Sequence, residues 1–305
     1  MKDCMRIGLA VPTLNAGAGW HDFLDGLARQ TLQPDRKLII DSGSDDTTVV
    51  RAKQAGFDAI EISASEFDHG KVRQMAVALL SDCDIILLAT QDIQFAEKTS
   101  IESLMKSFKS PDVVAAYGRQ VAFPDASPSE RHARAFNYPD QSSEKALADR
   151  SRLGIKTAFI SNTFAAYRRQ ALLDVGGFPQ CLIFGEDMYV GGKLLQNGGK
   201  IAYCADALVF HSHNDSLWRL MRRSFDIGVF HRKEAWLLET FATPEKEGWR
   251  LLRSEIRLFW EDCRSLFWVP IVRNGARFLA YRLGRLHHVL PLWLNRFFSL
   301  NRSYW

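Results

Sequence analysis

The sequence has no long apolar run. Nowhere in its 305 residues do apolar positions continue for the ~18 that a spanning helix takes, so no transmembrane helix is expected. Met1–Asn15 lacks the pattern of a signal peptide, because its apolar run, Ile7–Pro12, is too short and gives way to Thr13 and Asn15. Cysteine is scarce. The five, Cys4, Cys83, Cys181, Cys204 and Cys263, form no Cys-x-x-Cys pair, and an odd, scattered set reads as free thiols in a reducing, cytoplasmic compartment. The glycine fingerprint of dinucleotide folds is missing, since Asn15-Ala16-Gly17-Ala18-Gly19 is followed by Asp22 where the third glycine should stand. No Lys or Arg lies between Gly8 and Ala28, which disfavours a sugar nucleotidyltransferase with its basic loop after the first strand. Residues 250–305 contain no lysine at all.

What is present points to a globular α/β protein. Apolar residues make up 47% of the chain, ordinary for a packed core, and the length suits one large domain or one domain plus an extension. The net charge of +4 is uneven: residues 250–305 carry ten Arg against Glu255, Glu261 and Asp262, a local +7 that leaves −3 for the rest. A mildly acidic body with a basic tail suggests an anionic surface as the tail's partner.

Short apolar runs at Arg6–Pro12, Lys37–Ile40, Ala59–Ile62, Asp84–Ala89 and Val113–Tyr117 read as buried strands. Helical spacing separates them at Trp20–Gln30, Thr47–Ala55, Gly70–Leu80 and Thr99–Phe108. This alternation implies right-handed crossovers and a doubly wound, mostly parallel, Rossmann-like sheet, with ligands beyond the carboxyl ends of its strands. Residues 123–156 break the rhythm and read as a long surface segment with a short helix at Ser129–Phe136. A strand over Thr157–Tyr167, a helix over Arg169–Val175, and short strands at Ile201–Tyr203 and Leu208–Phe210 follow. From Ser216 the chain reads as helical, giving a catalytic unit over 1–215 and a helical extension over 216–305.

The polar residues gather at the expected strand ends: Thr13 and Asn15, Asp41, His69 and Asp92. Asp41 ends an otherwise apolar strand, where its carboxylate can accept from a base N–H or a ribose hydroxyl. Asp45–Thr48 need only be a turn and a helix cap. Arg73 sits in the first turn of a helix, where the dipole disfavours a cation, so a phosphate contact is expected of it. Asp92 stands too far before the next helix to cap it, and suits a hard divalent cation on diphosphate oxygens. In Phe184-Gly185-Glu186-Asp187 a glycine turn delivers two acids to the start of a helix that Gly198 and Gly199 stop; helix capping is the plain alternative. His211 and His213, two apart on an extended segment, point to opposite sides, so at most one is expected to face the site.

Together these motifs resemble glycosyltransferase family 2, and within it the bacterial rhamnosyltransferases that use dTDP-rhamnose. The resemblance covers nearly the whole chain. It rests on Val11–Asn15, on Asp41-Ser42-Gly43-Ser44-Asp45-Asp46-Thr47-Thr48, on Phe67–Arg73, on Thr90-Gln91-Asp92 in place of Asp-x-Asp, and on Gly185–Asp187. His211–Asn214, Phe225–Phe230 and the ending Ser303-Tyr304-Trp305 also fit that branch. The resemblance implies a GT-A-type fold and an inverting transfer of L-rhamnose from a dTDP-sugar to a glycan or lipid-linked glycan acceptor in cell-surface polysaccharide synthesis. It implies Asp187 as catalytic base; Pro12, Thr13, Asn15, Asp41, Ser44, Arg73, Gln91 and Asp92 as the donor site; and Asp92 with His211 as ligands of Mg²⁺ or Mn²⁺. Glu186, His69 and His213 stand in supporting or acceptor roles. A family 2 enzyme using a UDP-sugar is one alternative. A nucleotide-sugar-binding protein without catalysis is another, supported by the reduced Asp-x-Asp.

Residues 250–305 interleave their Arg with eleven aromatics. No nucleic-acid-binding module accompanies the mixture, so no nucleic-acid partner is expected. An amphipathic segment on the anionic cytoplasmic face of the inner membrane fits better, against the competing reading of aromatics packed on the catalytic unit.

Overall fold

The computed structural model describes residues 5–262 and 267–305. The nine strands among them form one sheet: β1 (Ile7–Thr13), β2 (Arg36–Asp41), β3 (Asp58–Glu61), β4 (Ile85–Ala89), β5 (Gln94–Phe95), β6 (Val113–Val121), β7 (Ser143–Lys145), β8 (Phe164–Arg168) and β9 (Lys200–Phe210), in the order β3-β2-β1-β4-β8-β6-β9-β5, with β7 also paired to β9. β1–β4, β6 and β9 share one direction; β5, β7 and β8 run against it. The helices are α1 (Gly19–Ala28), α2 (Thr48–Gln54), α3 (His69–Leu79), α4 (Ser100–Lys106), α5 (Pro128–Asn137), α6 (Arg150–Leu153), α7 (Arg169–Asp174), α8 (Glu186–Gln196), α9 (Leu217–Lys233), α10 (Ala235–Phe241), α11 (Glu245–Asp262), α12 (Trp268–Arg285) and α13 (Leu292–Phe298).

Both faces of the sheet are covered, which is why its strands read as unbroken apolar runs. In β4 the side chains alternate: Ile85, Leu87 and Ala89 join Trp20, Phe23 and Leu27 of α1, while Ile86 and Leu88 join Val72, Ala76 and Val77 of α3. The second of these cores also holds Phe225 and Phe230 of α9 and Leu237 and Phe241 of α10. The first helices after residue 216 therefore pack as part of the sheet's own core.

Three sequence expectations need correction. The strand expected over Thr157–Tyr167 begins only at Phe164; residues 154–157 form a 3-10 turn, and β8 lies antiparallel between β4 and β6. An antiparallel strand presents its beginning, not its end, at the edge where its neighbours finish, so residues 161–163 reach the active edge. Ile201–Tyr203 and Leu208–Phe210 belong to one strand, β9, whose register against β6 slips between Gly118 and Arg119. The surface segment 123–156 carries α5, close to the expected short helix, and adds β7 and α6.

In the tail, α12 meets α9 backbone to backbone. A Cβ at Gly284 would lie 2.0 Å from the Phe225 carbonyl oxygen, and one at Gly228 would lie 2.2 Å from that of Tyr281. The tail's aromatics divide. Phe259 and Tyr281 are buried and Phe298, Tyr304 and Trp305 pack on the core, whereas Trp268, Phe278, Trp293 and Phe297 are exposed. No helix among the described residues is long and apolar enough to cross a membrane. Cys83, Cys181 and Cys204 are free thiols, while Cys4 and Cys263 lie outside the described residues.

Candidate active site

The loops after β1, β2 and β4 are knotted together by side chains. Asp41 is 1% exposed. Its Oδ1 accepts from the hydroxyls of Thr13 (2.8 Å) and Ser44 (2.7 Å), and its Oδ2 from the backbone N–H groups of Gly43 (3.1 Å) and Ser44 (2.7 Å). Four donors saturate a carboxylate, so Thr13 of β1 and the loop after β2 together occupy the acid expected to meet a base or ribose. Asn15, in the left-handed region at φ 43°, joins the same knot: its N–H donates to Ser44 Oγ (2.7 Å) and its Oδ1 accepts from the Asp45 N–H (2.9 Å). Pro12 lies within β1 beside Ile40. Gln91, the middle residue of Thr90-Gln91-Asp92, accepts from the Leu14 N–H (2.8 Å) and donates to the Leu14 carbonyl (3.0 Å). A carboxylate could make only the first of these bonds, so the amide clamps the β1 loop in a way an Asp could not.

Beside Gln91, Asp92 forms a cluster with two imidazoles. Its Oδ2 lies 3.3 Å from His211 Nε2 and 3.1 Å from His213 Nε2. Both histidines face it, contrary to the alternation expected of an extended segment, because β9 ends at Phe210 and the chain beyond is not a strand. The proton on His211 can be assigned from its neighbours. Arg134 donates to Gln120 Oε1, which fixes that atom as the oxygen, and His211 Nδ1, 3.0 Å from the same atom, must then carry a hydrogen. The Nε2 of neutral His211 therefore presents a lone pair to a carboxylate. Two acceptors facing each other call for a proton or a cation between them. Burial lowers the His211 pKa, though Asp92 opposes the shift. Burial also works to raise the Asp92 carboxyl, but the imidazoles outweigh it and hold it far below the usual range. Asp92 Oδ1 is buried without a hydrogen-bond partner among the described residues. One carboxylate and two imidazoles, with all ligand atoms within 4.8 Å of one another, fit a divalent cation, and Gln120 supplies the outer contact that orients such a ligand.

The third group surrounds the start of α8. Gly185 adopts φ 76° at the cap position, and a Cβ there would lie 2.7 Å from the Phe230 ring; the turn and the close approach both require glycine. Glu186 is buried and pairs with Arg73 of α3 at 2.7 Å. The cation that looked misplaced in a first helical turn is thus neutralised by an acid from a distant element. His69 sits edge-on to Phe67 at 4.9 Å, and its carbonyl accepts from Arg73 (3.2 Å). Burial works to raise Glu186, but Arg73 and then His69 outweigh it and hold it below its ordinary value. Asp187 goes the other way: burial first, then the adjacent Glu186 charge, push its carboxyl up to about 7. Among the described residues, its oxygens accept only the Met188 N–H (2.8 Å) and a long contact from the Asn162 N–H (3.4 Å).

Segment 161–163 joins the three groups. The Thr163 carbonyl accepts from the Thr90 N–H (3.1 Å), beside Gln91 and Asp92. Ser161 Oγ accepts from Gln120 (2.9 Å), which holds His211. Asn162 donates to Glu186 (3.2 Å) and accepts from the Tyr167 hydroxyl (2.6 Å). The segment is braced from below by Lys145 of β7, a buried ammonium that donates to the carbonyls of Lys156 (3.1 Å) and Phe159 and lies over the Tyr117 ring. Burial depresses Lys145 to about 7.

The family model described as glycosyl transferase family 2 matches residues 9–176, more than half of the chain. The chain belongs to that family. Two curated members resemble it along nearly their full lengths. The O-antigen chain rhamnosyltransferase RfbN of Salmonella typhimurium is 42% identical over 304 residues, 99% of this chain and 96% of that protein. WbaN of Salmonella anatum, also an O-antigen chain rhamnosyltransferase, is 42% identical over 300 residues, 97% of this chain and 95% of that one. Among solved structures, the Pyrobaculum calidifontis mannosyltransferase PcManGT, in complex with GDP-Man and Mn²⁺, superposes with a TM-score of 0.66 at 14% identity, over 95% of this chain and 89% of that one. Staphylococcus aureus TarS (residues 1–349) gives 0.57 at 18% identity, over 98% and 88%. These likenesses establish the GT-A-type fold.

For this family 2 glycosyltransferase, sequence reasoning missed Asn162, Gln120, Ser161 and Lys145. The polar triplet Ser161-Asn162-Thr163 inside an apolar run was the available signal that a strand had not yet begun.

Proposed function

We propose that this family 2 enzyme transfers L-rhamnose, with inversion, from dTDP-L-rhamnose to a hydroxyl of a glycan or lipid-linked glycan during O-antigen or related polysaccharide synthesis. The observation that carries the reaction type is Asp187: a buried carboxyl raised toward neutrality, one backbone contact from the segment that also bears on the metal cluster. The two curated O-antigen rhamnosyltransferases support the choice of sugar.

The nucleotide lies against the β1, β2 and β4 loops, where Pro12, Thr13, Asn15, Asp41, Ser44 and Gln91 hold the backbone in one shape. Asp92 and His211, with His213 as a third ligand, hold Mg²⁺ or Mn²⁺, which when bound offsets the charge of the departing diphosphate. Asp187 accepts the proton of the attacking acceptor hydroxyl. Arg73 holds Glu186 as an anion, and that charge keeps Asp187 basic enough for the task. Incubation of the purified chain with Mn²⁺ and dTDP-L-rhamnose, UDP-glucose or GDP-mannose should release nucleotide diphosphate chiefly from the first. Equal release from UDP-glucose would reject the donor assignment, and release from none would reject catalysis.

Residues 250–305 make peripheral contact with an anionic membrane, on the cytoplasmic face of the inner membrane. Support comes from the outward side of α12 and α13, where Trp268, Ile271, Val272, Phe278, Leu279, Trp293 and Phe297 are exposed next to exposed Arg282 and Arg296. The enzyme should sediment with vesicles containing anionic phospholipid and stay in solution with purely zwitterionic ones; Phe278→Ser with Leu279→Ser should abolish sedimentation. Sedimentation unaffected by that pair would remove this face from the contact.

A further inference from the structure

A cavity of about 130 Å³ lies between β6 and α5, walled by Arg119, Gln120, Arg131, Arg134 and Tyr138. Its charge is one-sided. Arg134 is paired with Glu130 at 2.8 Å. Arg131 donates to the carbonyls of Ala126 (2.7 Å) and Pro124 (3.4 Å), and neither it nor Arg119 forms an ion pair among the described residues. The Nε of Arg119 is buried and has no hydrogen-bond partner among the described residues. No carboxylate lines the wall, so three arginines line one small space and only Arg134 is paired with an acid, while Arg131 is otherwise exposed to solvent. A buried charged donor without a partner is costly to maintain, and an anion would satisfy it.

The position of the cavity narrows the ligand. Gln120 contacts His211 at Nδ1, whereas Asp92 faces Nε2 of the same ring. The imidazole thus stands between the cavity and the Asp92 side, where the nucleotide loops are. On its other flank Tyr138 lies within electrostatic reach of Asp187, and Gln120 reaches Ser161, next to Asn162. The cavity therefore borders the base on the side away from the nucleotide. It is too small for a nucleotide or a sugar chain, since whole-ligand pockets run to several hundred Å³, but large enough for a phosphoryl group, whose oxygens match the donor fork of Arg.

We propose that this cavity is a phosphoryl subsite, separate from the metal cluster, that holds the phosphate or diphosphate through which a lipid-linked acceptor sugar is carried. The proposal rests on the lipid-linked acceptor reading above. The donor's diphosphate has the same chemistry, so the experiment has to tell the two sources apart.

Inorganic pyrophosphate is titrated into the full chain in EDTA, with and without saturating dTDP, and followed by calorimetry. Pyrophosphate should bind without a divalent cation and with equal affinity when dTDP is present. Arg119→Gln, which removes no hydrogen bond or ion pair among the described residues, should weaken it by roughly 10-fold or more while dTDP affinity and melting temperature stay unchanged. Arg119→Lys should recover part of the loss. In a second arm, a short-chain polyprenyl diphosphate in detergent should show the same dependence on Arg119. Displacement of pyrophosphate by dTDP, a requirement for Mn²⁺, or binding indifferent to Arg119→Gln in either arm would overturn the proposal. Turnover of dTDP-L-rhamnose by the same sample tests the function independently, so failure of the subsite and failure of the function are distinguishable.

Discussion

Asp187→Asn is expected to lower kcat by about 100- to 10 000-fold, the usual range for loss of a general base, while dTDP affinity and folding remain intact. The side chain keeps its shape and still accepts the Met188 N–H, but an amide cannot take a proton. The wild-type pH profile should carry the same signature. The base works only when ionised, so kcat/KM should rise with pH through the region near 7 where burial and Glu186 place this carboxyl. Glu186→Gln removes the neighbouring negative charge, which leaves Asp187 easier to ionise, so the rising limb should move to lower pH. The released Arg73 pushes in the same direction. A limb that stays put in Glu186→Gln, or an Asp187→Asn enzyme that loses dTDP binding and activity in equal measure, would make Asp187 a structural residue.

Chelation is expected to remove activity altogether, with recovery on adding Mn²⁺ or Mg²⁺, and Asp92→Asn should cost at least about 100-fold, because it removes the one carboxylate in the cluster. Gln120→Leu tests the same cluster from outside. Without an acceptor at Nδ1, His211 is free to adopt the wrong tautomer, for which a loss of about 10- to 100-fold in metal affinity is typical. Full activity in EDTA would show that the two imidazoles and Asp92 form only a protein-internal network, and would turn attention to arginine as the source of positive charge on the leaving group.

The parallel half of the fold was legible because its signals are local. An apolar run such as Ile85–Ala89 is continuous only when both faces of a strand are covered, and an acid at the end of such a run marks the edge where ligands sit. The placement of β8 was not legible. Whether a strand runs with or against its neighbours is decided by residues far away in sequence, and the antiparallel insertion is what brings Asn162 to Glu186 and Asp187. Arg73 shows the same limit from another direction. Its unfavourable position at a helix start was readable as an anomaly, but the partner expected of it was a phosphate. The anion proved to be Glu186, 2.7 Å away, and nothing in either local sequence names the other. His213 was misjudged because period-two alternation ends where the strand ends, one residue before His211. The tail's aromatics could not be sorted from composition at all. Only the contact of Gly228 with Gly284 decides which side of α12 faces inward.

Lys145 brings a mechanical consequence. Its ammonium has no acid partner among the described residues; the groups around it are carbonyls and aromatic faces. If residues 156–159 moved away, the Lys145 amine would lose its carbonyl acceptors and have to release its proton, so displacement of this stretch costs those charge-assisted hydrogen bonds in addition to the loss of contacts. The floor beneath the base is therefore stiff before any substrate arrives. Little ordering of this wall is left to be done when the acceptor binds, and more of the contact energy with the acceptor remains for lowering the barrier to transfer.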